Sequence, residues 1–323
     1  MIRTAESVSP MHPDKLCDQV SDAILDECLR QDPDSRVAVE VMGGHGIITV
    51  TGELTTKAFV DVKNVVSGIV GPNNGVQVNL VRQSPEIANG VDNGGAGDQG
   101  IMVGYACNET LELMPLEYVL ARDLCKFIYE KYPYDGKTQV TLDGQRIMFI
   151  VASFQKVPRL LLESLVQDWL KIKFGVVYAD IEIYGNPAGD WNLGGFEADT
   201  GLTGRKLMID NYGPRIPVGG GAFSGKDATK VDRSAAYMAR KIAVDHLVKL
   251  RAEEVYVYLA YAIGRAQPLQ ATVIADGKEF LLDGAHPYNL TPKGIIKFLN
   301  LKKPQYQETA KWGHFGNKFT WDQ

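Results

Sequence analysis

The sequence predicts an α+β fold made of two-layer units in which β-hairpins alternate with amphipathic helices. The first observation is a pair of hairpin patterns, at residues 36–51 and 138–153, each flanked by helical periodicity. The second is composition, because 45% hydrophobic and 23% charged residues are ordinary values for a globular chain. The length of 323 residues indicates about two domains of roughly 150 residues, whereas the alternating pattern gives up to three smaller units.

The first part of the chain predicts a helix, a hairpin, a second helix and a strand. Pro13 fits the first helical position, and Leu16 and Val20 follow at helical spacing. The predicted elements after this helix are strands at 36–41, 47–51 and 76–81 and a helix at 57–70.

The same order of elements then returns. Asp143-Gly144 is a strong signal for a tight hairpin turn. The predicted elements around and after it are helices at 116–132, 160–173, 232–250 and 291–299 and strands at 138–142, 146–153, 180–184, 255–262 and 270–275.

Glycine is in excess, with 33 residues, or about 10% against a usual value of about 7%. The glycines concentrate in three stretches that read as loops, residues 83–104, 185–204 and 213–225. Long segments without regular structure are uncommon in compact domains unless they carry function. The chemistry is therefore predicted to lie in these three stretches.

Charge and cysteine content exclude several classes of protein. A net charge of −5 argues against a protein that coats nucleic acid, and no segment approaches the roughly 20 apolar residues of a membrane span. The N-terminus lacks the apolar core of a secretory signal, so we expect a cytoplasmic protein. The four cysteines are predicted to be buried free thiols rather than metal ligands or disulfides: Cys17, Cys28, Cys107 and Cys125.

The third glycine-rich stretch comes close to a phosphate-binding P-loop. Gly220 and Gly225-Lys226 fit the spacing, but Asp227 stands where a serine or threonine would hold Mg²⁺, and no strand leads into the loop. Free N–H groups followed by Lys226, Lys230 and a helix start still favour anion binding. The alternative is a connector with two solvated lysines.

Asp14 and Asp232 both stand at predicted helix starts that follow loops. Their plain role would be helix capping, but carboxylates so placed also suit Mg²⁺ shared with phosphates. Arg205-Lys206 and Asp135-Gly136-Lys137 precede predicted strands, where solvated turns are the alternative. The residues together indicate a phosphate-rich ligand with a divalent cation and leave the reaction open.

These segments resemble the S-adenosylmethionine synthetase (methionine adenosyltransferase) family. The matching segments occur in order from residue 6 to 321, so the resemblance covers nearly the whole chain. The segments that carry it are His12-Pro13-Asp14-Lys15, Gln83-Ser84-Pro85, Gly97-Asp98-Gln99-Gly100, Gly201 to Lys206, Gly219 to Asp232 and Gly313-His314-Phe315-Gly316.

The resemblance implies a reaction and an architecture. In the family the methionine sulfur attacks C5′ of ATP, and the released triphosphate is hydrolysed to pyrophosphate and phosphate. The implied fold has three similar units with pseudo-threefold symmetry and helices outside, at residues 1–83, 94–194 and 195–323, with the chain interleaving between units. Residues 83–94 would form a mobile active-site loop. A homodimer with active sites between subunits is implied, and pairing of dimers stays open.

The resemblance also implies roles for individual residues. It places His12, Arg205, Lys206 and Lys226 around the triphosphate as catalytic residues. Two Mg²⁺ would be held by Asp14 and Asp232, and K⁺ by Glu40. The remaining contacts to ATP would come from Asp98, Asp135, Lys137, Trp191, Asp199 and Ala222, and those to methionine from Glu53, Gln83, Asp199 and Lys230.

The sequence departs from the family pattern in three places. Ser9-Pro10-Met11 replaces the usual residues before the histidine, and Asp190 stands where an arginine contacts ATP in the family. The mobile loop, several connectors and the whole chain are also shorter than is usual in the family. A catalytically impaired nucleotide-binding homologue with a regulatory or scaffold role is therefore the alternative to an active enzyme. A P-loop ATPase or kinase is disfavoured by Asp227.

Overall fold

The structure is a computed structural model that describes residues 1–83, 94–175, 180–282 and 287–323. The expected mobile loop, apart from its end residues Gln83 and Gly94, lies outside the described residues. Within the described part, no helix is both long and apolar enough to cross a membrane.

Twelve strands of the described chain form three four-stranded sheets. The strands are β1 (Ile2–Val8), β2 (Arg36–Gly44), β3 (Ile47–Thr55), β4 (Gly75–Val81), β5 (Gly100–Cys107), β6 (Gly136–Asp143), β7 (Arg146–Phe154), β8 (Glu182–Gly185), β9 (Gly201–Leu202), β10 (Glu254–Tyr261), β11 (Gln270–Ala275) and β12 (Lys278–Leu281). The first sheet has the order β4-β3-β2-β9, the second β1-β6-β7-β8 and the third β12-β11-β10-β5.

The described helices cover these sheets. They are α1 (Pro13–Gln31), α2 (Val62–Val70), α3 (Leu116–Lys131), α4 (Arg159–Phe174), α5 (Leu207–Asp210), α6 (Val231–Leu250), α7 (Pro292–Phe298) and α8 (Tyr306–Trp312), with short 3₁₀ turns at Gly195–Glu197 and Thr320–Asp322. Alternation along β2 sets the covered face, because Val37, Val39 and Val41 are buried while Glu40 and Met42 face outward.

The three sheets are built in the same way from three successive repeats of the chain. Each sheet contains three strands of one repeat and a fourth strand from another. A long helix (α1, α3 or α6) leads into a hairpin, and a further strand completes the repeat. The strand before each long helix pairs elsewhere: β1 with β6, β5 with β10 and β9 with β2, all antiparallel. The predicted class of three similar α/β units with pseudo-threefold symmetry is confirmed.

Strand β5 was not predicted, because residues 83–104 read as a loop by their glycines. Gly104 has a packing role instead: a Cβ there would lie 2.1 Å from the backbone carbonyl of Ala239 in α6. Glycine thus permits α6 to lie directly against the strand, a close approach that composition alone does not distinguish from a loop.

Other local predictions were wrong or incomplete. The helix predicted at 57–70 begins only at Val62, where the Asp61 side chain accepts a hydrogen bond from the Asn64 N–H (3.1 Å). The segment after Arg205-Lys206 is the short helix α5 and not a strand. Strands β1 and β12 and helix α8 were missed. All four cysteines are buried and free, as predicted.

Candidate active site

His12, Asp14, Arg205 and Lys206 meet at the start of α1, and we call them the α1 cluster. The buried Asp14 carboxylate lies 2.5 Å from the Lys206 ammonium through Oδ2 and 3.0 Å from Arg205 Nε through Oδ1. His12 caps α1, and its Nδ1 accepts the Asp14 N–H at 3.1 Å. Three predicted triphosphate ligands and one predicted metal ligand are therefore in one place.

The glycine-rich stretch that ends at Lys206 reaches this helix by a close backbone contact. A Cβ on Gly201 would lie 2.2 Å from the Pro13 carbonyl, so only glycine lets β9 pass the start of α1. The next N–H, of Leu202, donates to Asp14 Oδ1 at 2.9 Å. This contact positions Arg205 and Lys206 beside the start of α1.

The α1 cluster strongly perturbs its own titratable groups. Burial, with the positive charges of Lys206 and Lys137, lowers the pKa of His12 to about 3. Burial alone would raise the pKa of Asp14, but the Lys206 ammonium and the Leu202 N–H outweigh it and lower that pKa below its ordinary value. At neutral pH the cluster therefore holds a neutral imidazole, an ionised carboxylate and two cations.

Lys226, Asp227, Lys230 and Asp232 form a second group, the α6 cluster, at the start of α6. Lys226 Nζ lies 2.6 Å from Asp232 Oδ2, and Lys230 Nζ lies 2.5 Å from Asp227 Oδ2. Gly225 adopts φ +81°, and a Cβ there would lie 1.9 Å from the Val39 carbonyl oxygen. Glycine is thus required for the turn that presents Lys226.

Asp227 fixes this loop to the first sheet. Its Oδ2 accepts the Val37 N–H of β2 at 2.7 Å, and its Oδ1 accepts the Thr229 N–H at 2.8 Å. Burial opposes ionisation, yet Lys230 and these donors hold the pKa of Asp227 below its ordinary value. The residue that breaks the P-loop pattern is thus a structural anchor, which agrees with the rejection of a P-loop.

The two clusters lie on the same edge of β2. Leu202 pairs with Met42, and Lys226 makes an isolated bridge with Ala38. Ala38 and Met42 are four positions apart along β2, which corresponds to about 13 Å at the usual rise per residue. Among the described residues, no hydrogen bond or ion pair joins one cluster to the other.

Two predicted ligands occupy the outer face of the first sheet near the α6 cluster. Glu53 of β3 pairs with Ala38 of β2. Ala38 is two residues before Glu40, so the side chains of Glu53 and Glu40 lie on the same face of the sheet. Partial burial and the Glu53 carboxylate raise the pKa of Glu40 above its ordinary value, against the opposing charges of Lys226 and Lys230. Glu40, the predicted potassium ligand, therefore lies where an added cation would relieve repulsion between carboxylates.

Predicted nucleotide contacts lie around the α1 cluster. Lys137 is exposed on β6 opposite Val8, and Asp199 is exposed; both act electrostatically on His12. Asp135 is buried and accepts the Gly195 N–H at 2.9 Å, and burial raises its pKa. Ala222 lies against Gly204, since a Cβ on that glycine would be 2.5 Å from the Ala222 Cβ.

In the described part of the chain, neither cluster forms a hydrogen bond with three further predicted residues, Trp191, Asp98 and Gln83. Trp191 is half-buried and its Nε1 donates to Asn186 Oδ1 at 3.2 Å. Asp98 is exposed and accepts the Gln99 N–H at 2.8 Å. The Gln83 N–H donates to Thr55 Oγ1 at 3.2 Å, at the border of residues 84–93, which are not described.

Two departures from the family pattern have local structural roles. Asp190 Oδ1 accepts the N–H of Arg159, the first residue of α4, at 2.8 Å, so it caps that helix. Ser9 Oγ donates to the Tyr134 carbonyl at 2.9 Å in the loop before His12. These contacts account for both residues without a nucleotide.

Buried charges next to the clusters were not identified from the sequence as site residues. Lys15 lies 2.9 Å from Asp18 and 2.5 Å from Asp210, and Arg233 pairs with Asp22 at 2.6 Å, all fully or nearly fully buried. The signal that could have revealed them is an aspartate at every fourth position of α1, a spacing that puts carboxylates on the buried face.

The clusters suit a metal held jointly with a substrate. Across the ranges that the structure describes, no three His, Cys, Asp or Glu side chains lie close enough to hold a metal ion. Each cluster instead offers one aspartate for this purpose, Asp14 or Asp232, because the oxygens of Asp227 already accept the Val37 and Thr229 N–H groups. Mg²⁺ is commonly bound by one or two carboxylates plus substrate phosphates, and this donor set fits that mode.

Lysines and an arginine beside aspartates, presented by glycine-rich loops at helix starts, are typical of proteins that bind polyphosphates with divalent metals. Three family models match nearly the whole chain: the S-adenosylmethionine synthetase N-terminal domain at residues 1–78, central domain at 93–191 and C-terminal domain at 193–323. The chain belongs to the S-adenosylmethionine synthetase family. It is therefore an enzyme, a methionine adenosyltransferase of a family that needs metal ions.

A curated relative agrees with this assignment. S-adenosylmethionine synthase of Pseudothermotoga lettingae is 43% identical over 377 aligned positions, which cover 99% of this chain and 95% of the relative. The alignment is longer than the 323 residues of this chain, so the relative carries segments that the chain lacks. This agrees with the expectation that the chain is short for its family.

The lowered pKa of His12 predicts a pH-dependent loss of stability. The unfolded imidazole takes up a proton below pH 6.5, and the folded one does so only near pH 3, so the folded state loses stability as pH falls between these values. From pH 7.5 to pH 5, wild type should lose about 2 kcal/mol of unfolding free energy more than His12→Asn. Urea unfolding at both pH values measures this difference.

Asparagine keeps a capping side chain at this position, so the comparison isolates the titration. His45→Asn, at an exposed histidine, is the control and should keep the wild-type pH dependence. If His12→Asn and wild type lose the same free energy, the buried neutral state of His12 is wrong.

Proposed function

We propose that the chain makes S-adenosylmethionine by direct attack of the methionine sulfur on C5′ of ATP. The S–C5′ bond forms as the C5′–O bond breaks, which leaves a sulfonium product and a triphosphate that takes the bonding electrons. The observation that carries this proposal is the pair of clusters, each with lysine cations beside an aspartate. A neutral thioether needs no general base, and neither cluster contains a Ser-His-Asp arrangement.

The cations would act on the leaving group. Negative charge grows on the triphosphate as the C5′–O bond breaks, and preorganised cations at that position lower the barrier. Arg205, Lys206 and Lys226 are the proposed ligands of the triphosphate. His12 is held neutral by its surroundings, so it would contribute a hydrogen bond to a phosphate oxygen rather than a charge.

Two aspartates of the chain would hold the metal ions beside the phosphates. Asp14 and Asp232 are the proposed Mg²⁺ ligands, and both now neutralise lysines that would turn to the phosphates when the substrate binds. Mg²⁺ supplies further positive charge to the phosphate oxygens when it is bound. Glu40 is the proposed K⁺ ligand, and the nearby Glu53 carboxylate supports a cation there.

The substrates would be positioned by the residues around the two clusters. The residues proposed for methionine are Glu53, Gln83, Asp199 and Lys230. The two carboxylates could pair with the ammonium group of methionine, and the lysine with its carboxylate. The residues proposed for ATP, beyond the ligands of the triphosphate, are Asp98, Asp135, Lys137, Trp191, Asp199 and Ala222. After transfer, water would split the triphosphate into pyrophosphate and phosphate within the same cationic pocket.

We further propose a homodimer in which each active site joins the α1 cluster of one subunit to the α6 cluster of the other. The absence of any hydrogen bond or ion pair between the clusters in the described residues supports two half-sites per chain. The outer face of the first sheet supports the interface, since it exposes Met42, Ile47 and Val81 by 49–56% beside Glu40. Pairing of dimers into tetramers remains open.

A catalytically impaired regulatory homologue is the second candidate. It was motivated by Asp190 and Ser9, and the structure gives both residues local roles that leave the two clusters intact. Assay with ATP, methionine, Mg²⁺ and K⁺ separates the candidates, because only the enzyme forms S-adenosylmethionine.

Lys226→Met should lower the rate of S-adenosylmethionine formation by about 10²–10³-fold, because one preorganised cation at the leaving group is lost. Turnover is measured by product formation under saturating substrates, and folding by circular dichroism. Lys249→Met, at an exposed lysine in the last turn of α6, is the matched control and should keep wild-type turnover. Near-normal turnover of folded Lys226→Met would refute the phosphate assignment.

Asp14→Asn should raise the Mg²⁺ concentration needed for half-maximal activity several-fold, because asparagine offers a weaker, neutral oxygen. A Mg²⁺ titration of initial rates measures this change. Asp168→Asn, at an exposed residue of α4, is the control. An unchanged titration for Asp14→Asn would leave Asp14 with only its structural contacts to Leu202, Arg205 and Lys206.

Heterodimers tell whether a site uses both subunits. A dimer of one Lys206→Met chain and one Lys226→Met chain, purified through two different tags, would contain one doubly altered and one intact site. It should show about half of wild-type activity, as expected of a symmetric two-site dimer, while each parent homodimer stays nearly inactive. Inactive heterodimers would place both clusters of a site within one chain.

A further inference from the structure

Helix α1 carries an aspartate at every fourth position: Asp14, Asp18, Asp22 and Asp26. We call this row the aspartate ladder. All four residues are buried: the first three are fully buried, and Asp26 is 8% exposed. Four residues advance a helix by about 6 Å and turn it by about 40°, so the carboxylates form one slightly rotating row.

The first three aspartates of the ladder accept backbone N–H groups from two loops, with Asp14 and Asp18 binding the same one. Asp14 accepts Leu202 N–H, Asp18 Oδ1 accepts Gly204 N–H at 2.8 Å, and Asp22 Oδ1 accepts Gly225 N–H at 2.8 Å. Gly204 lies two residues before Lys206, and Gly225 lies directly before Lys226. The middle two aspartates therefore hold the two loops that present the lysines of both clusters.

Asp26 differs in its target. Its carboxylate accepts the N–H groups of Gln305, Tyr306 and Gln307 at 2.9–3.0 Å, at the start of α8. It is equally part of the ladder but contacts neither loop. The chain thus contains an internal comparison for the two loop-holding aspartates.

Buried cations fix the two middle carboxylates. Asp18 Oδ2 lies 2.9 Å from Lys15, which also pairs with Asp210. Asp22 accepts hydrogen bonds from Nη1 and Nη2 of Arg233, at 2.6 and 2.9 Å. Each aspartate is thereby held in one orientation for its loop N–H.

Strand β2 holds the same two loops from their other side. The Thr203 N–H donates to the Val41 carbonyl and the Val39 N–H donates to the Gly225 carbonyl, both at 3.0 Å. Each loop is fixed between a strand and a helix within one residue of its ladder contact. The relative placement of the two loops is thus set by the spacing of α1.

We propose that Asp18 and Asp22 are positioning residues for adenosyl transfer, which fix through Gly204 and Gly225 where Lys206 and Lys226 stand. This inference rests on the proposed function. Cations speed the reaction only if they already stand where charge develops, and a displacement of about 1 Å can cost about 10²-fold in rate. Asp18 and Asp22 supply that order without touching the substrate.

The kinetic test compares three variants of the native dimer. Asp18→Ala removes the acceptor for Gly204 while Lys15 keeps Asp210, and kcat should fall by about 10- to 100-fold with KM for methionine changed less than about threefold. Asp18→Asn retains an acceptor oxygen and should recover most of kcat. Asp26→Ala is the matched control and should lose stability but keep kcat.

The outcomes separate this proposal from the proposed function. If wild type forms no S-adenosylmethionine, the proposed function fails. If wild type is active and folded Asp18→Ala keeps the kcat of Asp26→Ala, or if Asp18→Asn is as impaired as Asp18→Ala, the positioning role is wrong. Asp22→Ala should behave as Asp18→Ala does.

Asp22→Ala leaves Arg233 buried without its partner and can fail to fold. Amide hydrogen exchange of the wild-type dimer then decides. The Gly204 and Gly225 amides should exchange about 100-fold or more slowly than that of Gly220, an exposed loop glycine. Exchange as fast as Gly220 at either amide would show that the ladder does not hold that loop, and would overturn its role.

Discussion

The buried pair between Asp22 and Arg233 is the interaction on which the rest of the site depends. It joins α1 to α6 across 211 residues of sequence, and both side chains are fully buried. Arg233 also donates to Tyr237, whose hydroxyl lies 2.7 Å from His314 Nδ1. Removing one partner of such a pair typically costs about 3–5 kcal/mol. The pair therefore fixes the start of α6 to the middle of α1, and with them the clusters that the two helices carry.

The two clusters combine firm anchoring with reversible charge pairing. Their backbones are held by β2 and by α1, whereas the ammonium groups of Lys206 and Lys226 remain partly exposed beside aspartates. An anionic ligand can therefore exchange partners with these lysines without moving the chain. A fixed backbone that carries ammonium groups able to change partners is the arrangement that electrostatic preorganisation requires.

The sequence was sufficient for features that depend on neighbouring residues. The start of α1 at Pro13, the Asp143-Gly144 hairpin and the positions of Asp14 and Asp232 near helix starts were all predictable from local pattern. Features that depend on distant partners were not. Gly104 reads as a loop residue until α6 lies against it, and nothing near Asp22 reveals Arg233. The roles of the individual ligands remain predictions from family resemblance and cluster geometry.

The exchange of leading strands also governs how the chain can fold as it is synthesised. Strand β1 has no partner until β6 exists, since Ile2 pairs with Asp143, and β2 completes its sheet only when Gly201 reaches Gly43. At a synthesis rate of about 5–20 residues per second, β1 stays unpaired for roughly 7–30 s. No repeat can complete its four-stranded sheet from its own strands. The nascent chain therefore exposes unpaired strands, which favour aggregation and chaperone binding, until β10 has been synthesised.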